Sequence, residues 1–180
     1  MSTRYWKVLG ASGASCHGGS YQWSLPTWDG EKWTPGEWTH CIDDIEACHK
    51  GWHVCTDTQL VEWLHETIWH VEIHPDAVIT MLDDKCVTTG PVRLVAGTPW
   101  DAVTARLFAV ECAARVLPLA NDERCDEACE VAFRYALGDA TTGELDSAQD
   151  SAQASAQASA WASAQAAQTA DLLRWLEVTP

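Results

Sequence analysis

Basic residues are scarce in this sequence. Lysine and arginine together number 11, aspartate and glutamate number 26, and the 180-residue chain has a formal net charge of −15. A surface with this charge repels the phosphates of nucleic acids, so we expect no general binding of DNA or RNA. It suits a partner with a basic surface, whereas a small anionic ligand would need a local pocket to hold it.

Long apolar runs are also missing. No segment approaches the roughly 20 apolar residues that cross a bilayer. The start of the chain lacks the apolar core of a signal peptide. We therefore expect no membrane association and a cytoplasmic location, which is the host cytoplasm if the protein is phage-encoded. In that compartment the 8 cysteines should be thiols or metal ligands rather than disulfides.

The usual short catalytic motifs do not occur. The chain has no phosphate loop, no nucleophile elbow and no His-Glu-x-x-His metal helix. This favours a binding protein over an enzyme.

Tryptophan, in contrast, is abundant. The chain has 11, most of them before residue 101, and such rings supply a core or the walls of a pocket. Apolar alternation predicts strands at residues 5–9, 52–55 and 69–73, and a closing strand at Val92 and Leu94. Alternation of Tyr21, Trp23 and Leu25 predicts another strand, and prolines and glycines predict a loop or hairpin tip over 26–37. Thr56 with Gln59 forms a capping-box pattern before a short helix.

The whole pattern predicts an α+β protein with two domains. Residues 1–96 form a small, tryptophan-rich mixed α/β domain, and residues 97–180 form an antiparallel three-helix domain. Periodic apolar positions and caps place the helices at about 99–117, 122–137 and 142–177. Thr98 and Pro99 suit the start of the first helix, and Pro118 suits its end.

The third helix carries a nearly uninterrupted Ser-Ala-Gln repeat from Ser147 to Gln165. Alanine favours helix, and Thr141 with Glu144 forms a capping box at its start. Alanine rows also allow helices to approach closely, so this helix could be the seam of a homo-oligomer. A partly disordered tail is the alternative, because serine and glutamine are common in such segments.

A small-ligand site is expected around His17, Gly18, Gly19, Trp23, Trp52 and His53. Glycines let the backbone approach a ligand closely, histidines offer a donor and an acceptor, and tryptophans offer stacking faces. A structural turn, in which His17 satisfies main-chain groups, is the alternative.

A zinc site is a second candidate, drawn from Cys41, Cys48, His53 and Cys55. Zinc takes four nitrogen or sulfur ligands, and His53 and Cys55 share a strand face. The spacing of Cys41 and Cys48 differs from the usual zinc knuckle, so buried thiols packed as small apolar groups are the alternative.

Two family resemblances add to this picture. Cys41, the Gly51-Trp52-His53-Val54-Cys55 element, Trp63 and the closing Val92-Arg93-Leu94 resemble an uncharacterised domain of phage and bacterial proteins. The order of His17-Gly18, a Gly-x-His strand and a helix is similar to that of ADP-ribosyltransferase folds. The segment from Leu107 to Pro118, the alanine-rich repeat and Gln168 to Leu173 resemble a helical family described as immunity proteins of bacterial toxin systems.

These resemblances imply a phage or prophage accessory protein. We therefore expect a non-enzymatic protein that binds and sequesters a host protein or a small nucleotide-like immune signal, with no cofactor unless zinc is bound. The alternatives are a transferase or hydrolase that uses His17 and His53, and a structural protein that forms oligomers through its helices.

Overall fold

The computed structural model describes residues 3–120, 123–153, 168–169 and 171–176. Its elements, in chain order, are strands β1 (Tyr5–Leu9), β2 (Thr27–Trp28), β3 (Trp33–Thr34) and β4 (Trp52–Thr56), a 3-10 helix (Leu60–Trp63), strands β5 (Thr67–Ile73), β6 (Ile79–Met81), β7 (Cys86–Thr88) and β8 (Val92–Gly97), and helices α1 (Ala102–Ala120), α2 (Glu123–Leu137) and α3 (Thr142–Gln153). An antiparallel sheet followed by helices confirms the α+β class. The contacts divide the chain into two compact units, the first ending at Trp100 and the second beginning at Asp101. Within the described ranges, no helix is long and apolar enough to span a membrane.

The sheet of the first unit opens between two of its central strands. Its six strands lie in the order β6-β7-β4-β1-β5-β8, and every neighbouring pair is antiparallel. The ladder of β1 with β5 runs through all five residues of β1. The ladder of β1 with β4 contains only the pairs Tyr5–Thr56 and Trp6–Cys55. The second half of β1 is therefore split from the first half of β4.

A tryptophan-rich core packs beside this split. Trp23, from the long segment between β1 and β4, packs with a buried cluster from the sheet that includes Leu9, Trp52, Val54, Val71, Cys86, Val92 and Leu94. The indole N–H of Trp52 donates to the His40 carbonyl at 2.9 Å, and that of Trp23 donates to the Ser15 hydroxyl at 3.0 Å. Both rings are thus buried with their polar atoms satisfied, as burial of an indole requires.

Most of the predicted strands are confirmed. Strands occur at 5–9, 52–56 and 67–73, a closing strand begins at Val92, and the 26–37 segment holds the β2–β3 hairpin. The helix after Thr56 is a short 3-10 turn, and Gln59 Oε1 accepts the Thr56 N–H at 3.0 Å.

The strand predicted over Tyr21, Trp23 and Leu25 is wrong. This stretch makes an isolated bridge between Ala14 and Gln22, and the Trp23 N–H donates to the Gly13 carbonyl at 3.0 Å. The segment from Tyr21 to Leu25 is therefore a loop, and its alternating side chains pack against the sheet. The structure also contains β6 and β7, which the sequence pattern did not predict.

Helix α1 begins and ends three residues later than predicted. Asp101 caps it, because its carboxylate accepts the Thr104 N–H at 2.7 Å, whereas the Thr98 hydroxyl donates to Ile68 on β5 at 3.0 Å. Pro118 lies inside the helix, which ends at Ala120. Pro118 lacks an N–H and so removes one hydrogen bond from the last turn of α1, but the helix continues for two more residues.

The caps of α2 and α3 follow the sequence pattern. Gly138, with a φ of 87°, follows the end of α2. Glu144 accepts the Thr141 N–H at 2.8 Å, and Thr141 Oγ1 accepts the Glu144 N–H at 3.3 Å, which is the predicted capping box.

The end of the described chain contacts α1. Residues 168–169 and 171–176 are helical, Asp171 pairs with Arg115, and the Trp175 indole donates to Glu111 at 2.6 Å. Residues 154–167, and with them the predicted long alanine-rich helix and its oligomer seam, lie outside the described residues.

Candidate functional site

A cavity of about 590 Å³ lies at the split between β1 and β4. Its walls come from β1, the turn that follows it, the loop before β4, β4 itself, and the residues Trp63 and Lys85. The cavity therefore forms where the ladder between β1 and β4 stops. At this point side chains, rather than the main chain of a neighbouring strand, hydrogen-bond to the strand carbonyls. Two main-chain carbonyls of the split strands show this, because Val8 accepts from the Cys16 thiol at 3.5 Å and His53 accepts from Lys7 Nζ at 3.0 Å.

The residues of the predicted ligand site meet in this cavity. They are His17, Gly18, Gly19, Trp23, Trp52 and His53, and all six line it. The structure thus places the six residues around one cavity. Ligand binding by these residues stays a prediction.

His17 belongs to a turn that the 3-10 helix holds. Its φ is 58°, in the left-handed region, and its Nε2 lies 3.1 Å from the Trp63 carbonyl. Its ring also meets the Trp63 ring edge-on at 5.3 Å. The next residue, Gly18, has a φ of 89° and open space where a Cβ would stand. This arrangement fits the structural role that was the alternative for His17.

The aromatic wall consists of buried and accessible rings. Trp23 and Trp52 are 4% and 5% exposed and meet at 5.3 Å. Tyr21, which packs edge-on against Trp52 at 4.6 Å, is 40% exposed, and Trp63 is partly exposed. Tyr21 and Trp63 are thus the rings that can offer a face to a ligand, while Trp23 and Trp52 support them from the core.

His53 is engaged by the main chain. Its Nε2 accepts the Cys48 N–H at 3.1 Å. Burial lowers the pKa of His53, the charges of Lys7 and Lys85 lower it further, and a hydrogen bond with the Gly51 main chain opposes this. The ring is therefore neutral at pH 7, and it holds the loop before β4.

Lys7 is the residue that sequence reasoning missed most clearly. It occupies the middle of β1 and is partly buried, and its Nζ lies 5.3 Å from the centroid of Trp23. Burial lowers the pKa of Lys7, while Cys55 and Cys16 act weakly in the other direction. A lysine in the middle of the otherwise apolar Tyr5–Leu9 strand was the available signal.

Lys85 brings a second cation to the cavity. Its Nζ lies 3.1 Å from Asp84 Oδ2 and 4.8 Å from the centroid of Trp63. Burial acts to lower the pKa of Lys85, but hydrogen bonds with Cys48 and Asp84 raise it overall. Lys85 is therefore a fully charged group whose charge Asp84 largely offsets.

The four residues of the zinc hypothesis do not come together as a ligand set. Cys48, His53 and Cys55 line the cavity, whereas Cys41 does not, and His53 Nε2 is already occupied by the Cys48 N–H. Cys55 is buried and donates to the Trp6 carbonyl at 3.7 Å. Across the part of the chain that the structure describes, no group of three or more His, Cys, Asp or Glu residues is placed to hold a metal ion. Zinc binding stays a prediction that elemental analysis of the purified protein tests.

Comparison of the chain with protein-family models, with curated proteins and with solved structures yields no match. The resemblances to a phage domain and to an immunity family therefore stay predictions.

Proposed function

We propose that this is a non-enzymatic binding protein that captures a small, nucleotide-like aromatic anion in the cavity. The observation that carries the proposal is the joint lining of one cavity by accessible aromatic rings and by two of the chain's four lysines, in a chain of net charge −15. The cavity volume is within the range of about 300–1,000 Å³ that is usual for small-molecule sites. Rings bind a planar base by stacking, and lysines bind its anionic group.

The biological role that we propose is sequestration of a host signal, as in a phage or prophage accessory protein. Capture lowers the free concentration of a signal without chemistry, provided that the protein is in excess over the signal. A cavity of this size favours a small molecule over the alternative partner, a host protein.

Turnover by His17 and His53 has less support. The Nε2 atom of each ring contacts a main-chain group, the Trp63 carbonyl for His17 and the Cys48 N–H for His53. A general base needs a free nitrogen within reach of the proton that it removes, and these contacts occupy one of the two nitrogens of each ring. Loss of turnover in His17→Ala and His53→Ala, with binding retained, would be the result that favours an enzyme.

The test is capture and release. The purified protein is equilibrated with adenosine 5′-monophosphate or 3′,5′-cyclic adenosine monophosphate, separated from free ligand, and heat-denatured. We expect the released compound to be recovered unchanged, with one ligand per chain, and altered products would overturn the proposal.

A pair of variants ties the capture to the cavity. Trp63→Ala removes an accessible ring from the cavity wall, and base stacking on such a ring contributes about 1–3 kcal/mol. We expect it to weaken binding by about fivefold to a hundredfold. Trp28→Ala, on the β2–β3 hairpin and outside the cavity lining, is the matched control and should bind like the original chain.

A further inference from the structure

Lys7 has no counter-charge among the described residues of the first unit. Its Nζ contacts the His53 carbonyl at 3.0 Å and the Trp23 ring, and no carboxylate of the described residues pairs with it. A sequestered cation costs free energy unless an anion compensates it. The lack of a carboxylate partner for Lys7 is informative, because the chain has 26 acidic residues and only four lysines.

The nearest acidic groups cannot supply that charge. Burial raises the pKa of the Cys55 thiol to about 12 and also raises that of Cys16, in both cases against the pull of Lys7. Both thiols are therefore neutral at physiological pH. The charges of Lys7 and Lys85 both act on His53, so the two cations reinforce one another across the cavity.

We propose that Lys7 is the anion anchor of the cavity, where its ammonium pairs with a phosphate or carboxylate of the ligand at the split between β1 and β4. The inference rests on the proposed function and adds the residue that holds the oxyanion of the aromatic ligand. An ammonium has three donors, and the contact with His53 uses one of them. The ligand's oxyanion completes the ion pair that the fold leaves open.

Lys85 should contribute less than Lys7 to binding of the anion. Its contact with Asp84 at 3.1 Å already offsets its charge, so an incoming anion gains less from it. We expect Lys85→Met to weaken anion binding less than Lys7→Met does.

The experiment compares adenosine, adenosine 5′-monophosphate and adenosine 5′-carboxylate on the full chain. A charge-assisted hydrogen bond contributes about 1.5–3 kcal/mol, so each anion should bind about tenfold to a hundredfold more tightly than adenosine. Lys7→Met should remove this difference, and Lys7→Arg should keep most of it. Lys32→Met, an exposed lysine outside the cavity lining, is the matched control. Comparison of the phosphate with the carboxylate shows which oxyanion the site prefers.

A second measurement follows ligand binding in the original chain and uses one variant only to assign a signal. In protein labelled with ¹³C-lysine, the four lysines give four Cε signals, and the signal missing from Lys7→Arg is that of Lys7. Inorganic phosphate and adenosine 5′-monophosphate should each shift the Lys7 signal while the exposed Lys32 and Lys50 stay unchanged.

The outcomes separate the two proposals. Equal binding of adenosine and its anions, with an unmoved Lys7 signal, overturns the anchor and leaves aromatic capture standing. A Lys7 signal that moves with inorganic phosphate, while no adenosine compound binds, supports the anchor and overturns the proposed function. An unmoved signal with no binding at all overturns both.

Discussion

Lys7 combines three properties that rarely occur together in one lysine. It is central in a strand, it lines a cavity, and its contacts are a carbonyl and an indole ring rather than a carboxylate. Tryptophan faces stabilise cations, with a contribution of about 0.5–2 kcal/mol. The ring of Trp23 therefore holds the ammonium in the free protein, and an anion is needed to compensate its charge fully.

Binding of adenosine 5′-monophosphate should weaken as pH rises through the pKa of Lys7 in the free protein. Burial lowers the pKa of Lys7 in the free protein, and a bound anion raises it, so binding takes up a proton in the pH window between the two values. Affinity is full below the free-protein pKa and declines up to tenfold per pH unit above it. Isothermal titration at pH 7 to 10 measures this slope, and Lys7→Met should make it clearly smaller.

The other titratable groups near Lys7 do not reverse the expected fall in affinity with rising pH. At pH 7 to 10 the Cys55 thiol and a neutral His53 change little, and any thiolate formed at Cys16 repels the anion, which also weakens binding. On β5, Trp69 lies opposite Lys7. The remaining ionisable groups of the lining are His17, Tyr21, Cys48, His49 and Lys85. Affinity that rises with pH would contradict the assignment of Lys7.

The loop that leads into β4 is the element on which the cavity depends most. Gly51 has a φ of 133°, and a Cβ there would lie 2.5 Å from a methyl group of Val87 on β7. Cys48, three residues earlier, has a φ of 66° and donates to His53. The tight approach of this loop to β7 places Trp52 and His53 on the cavity wall.

Gly51→Ala should destabilise the protein and disturb the cavity together. The backbone conformation is one that alanine rarely adopts, which costs about 1–3 kcal/mol, and the clash with Val87 adds to it. Urea unfolding measures the loss. Gly143→Ala, on α3 with open space around the position, is the control and should raise stability by up to about 1 kcal/mol. Equal stability of the two variants would contradict the tight packing of this loop.

The capping box of α3 gives a second test at the level of an element. Thr141→Ala removes the hydroxyl that accepts the Glu144 N–H and should cost about 1 kcal/mol in the free energy of unfolding. Thr142→Ala, one residue later and inside the helix, should cost less, because alanine is the better helix former. A loss in Thr142→Ala that matched the first would show that the cap contributes nothing.

At the scale of the whole molecule, net charge and cavity charge have opposite signs. The chain carries −15, yet the cavity collects Lys7 and Lys85. The overall field repels nucleic acid and other large polyanions, whereas a single small anion meets the two lysines at close range. Under the proposed function, this contrast favours small anions over polymeric ones.

Ligand binding should also stabilise the whole chain by mass action. At a concentration of adenosine 5′-monophosphate equal to 100 times its Kd, the free energy of unfolding should rise by about 2.7 kcal/mol, because the ligand binds only the folded state. Urea titration with and without ligand measures this. Lys7→Met at the same ligand concentration should show a clearly smaller rise, and an unchanged unfolding midpoint in the original chain would contradict ligand capture.

Local pattern by itself determined much of the architecture. The period-two alternation at residues 5–9, 52–55 and 69–73 and the capping pairs of the helices depend on near neighbours, so the sequence alone predicts these strands and the α+β class. Strands β6 and β7 have three residues each and leave no readable period, and the alternation at Tyr21 to Leu25 packs a loop rather than a strand. Glycine, histidine and tryptophan likewise pointed to residues that line one cavity.

Only the tertiary structure decided how these residues are arranged around the cavity. The cavity exists because the ladder between β1 and β4, which are distant in sequence, stops after two pairs. The free charge of Lys7 is defined by which groups fold around it, namely a carbonyl, an indole and two neutral thiols. The placement of the candidate zinc ligands depends on the fold in the same way, since the main-chain N–H of Cys48 contacts His53 Nε2 and Cys41 lies outside the cavity lining. Composition states which charges a chain contains, but pairing of those charges depends on distances that only the folded chain sets.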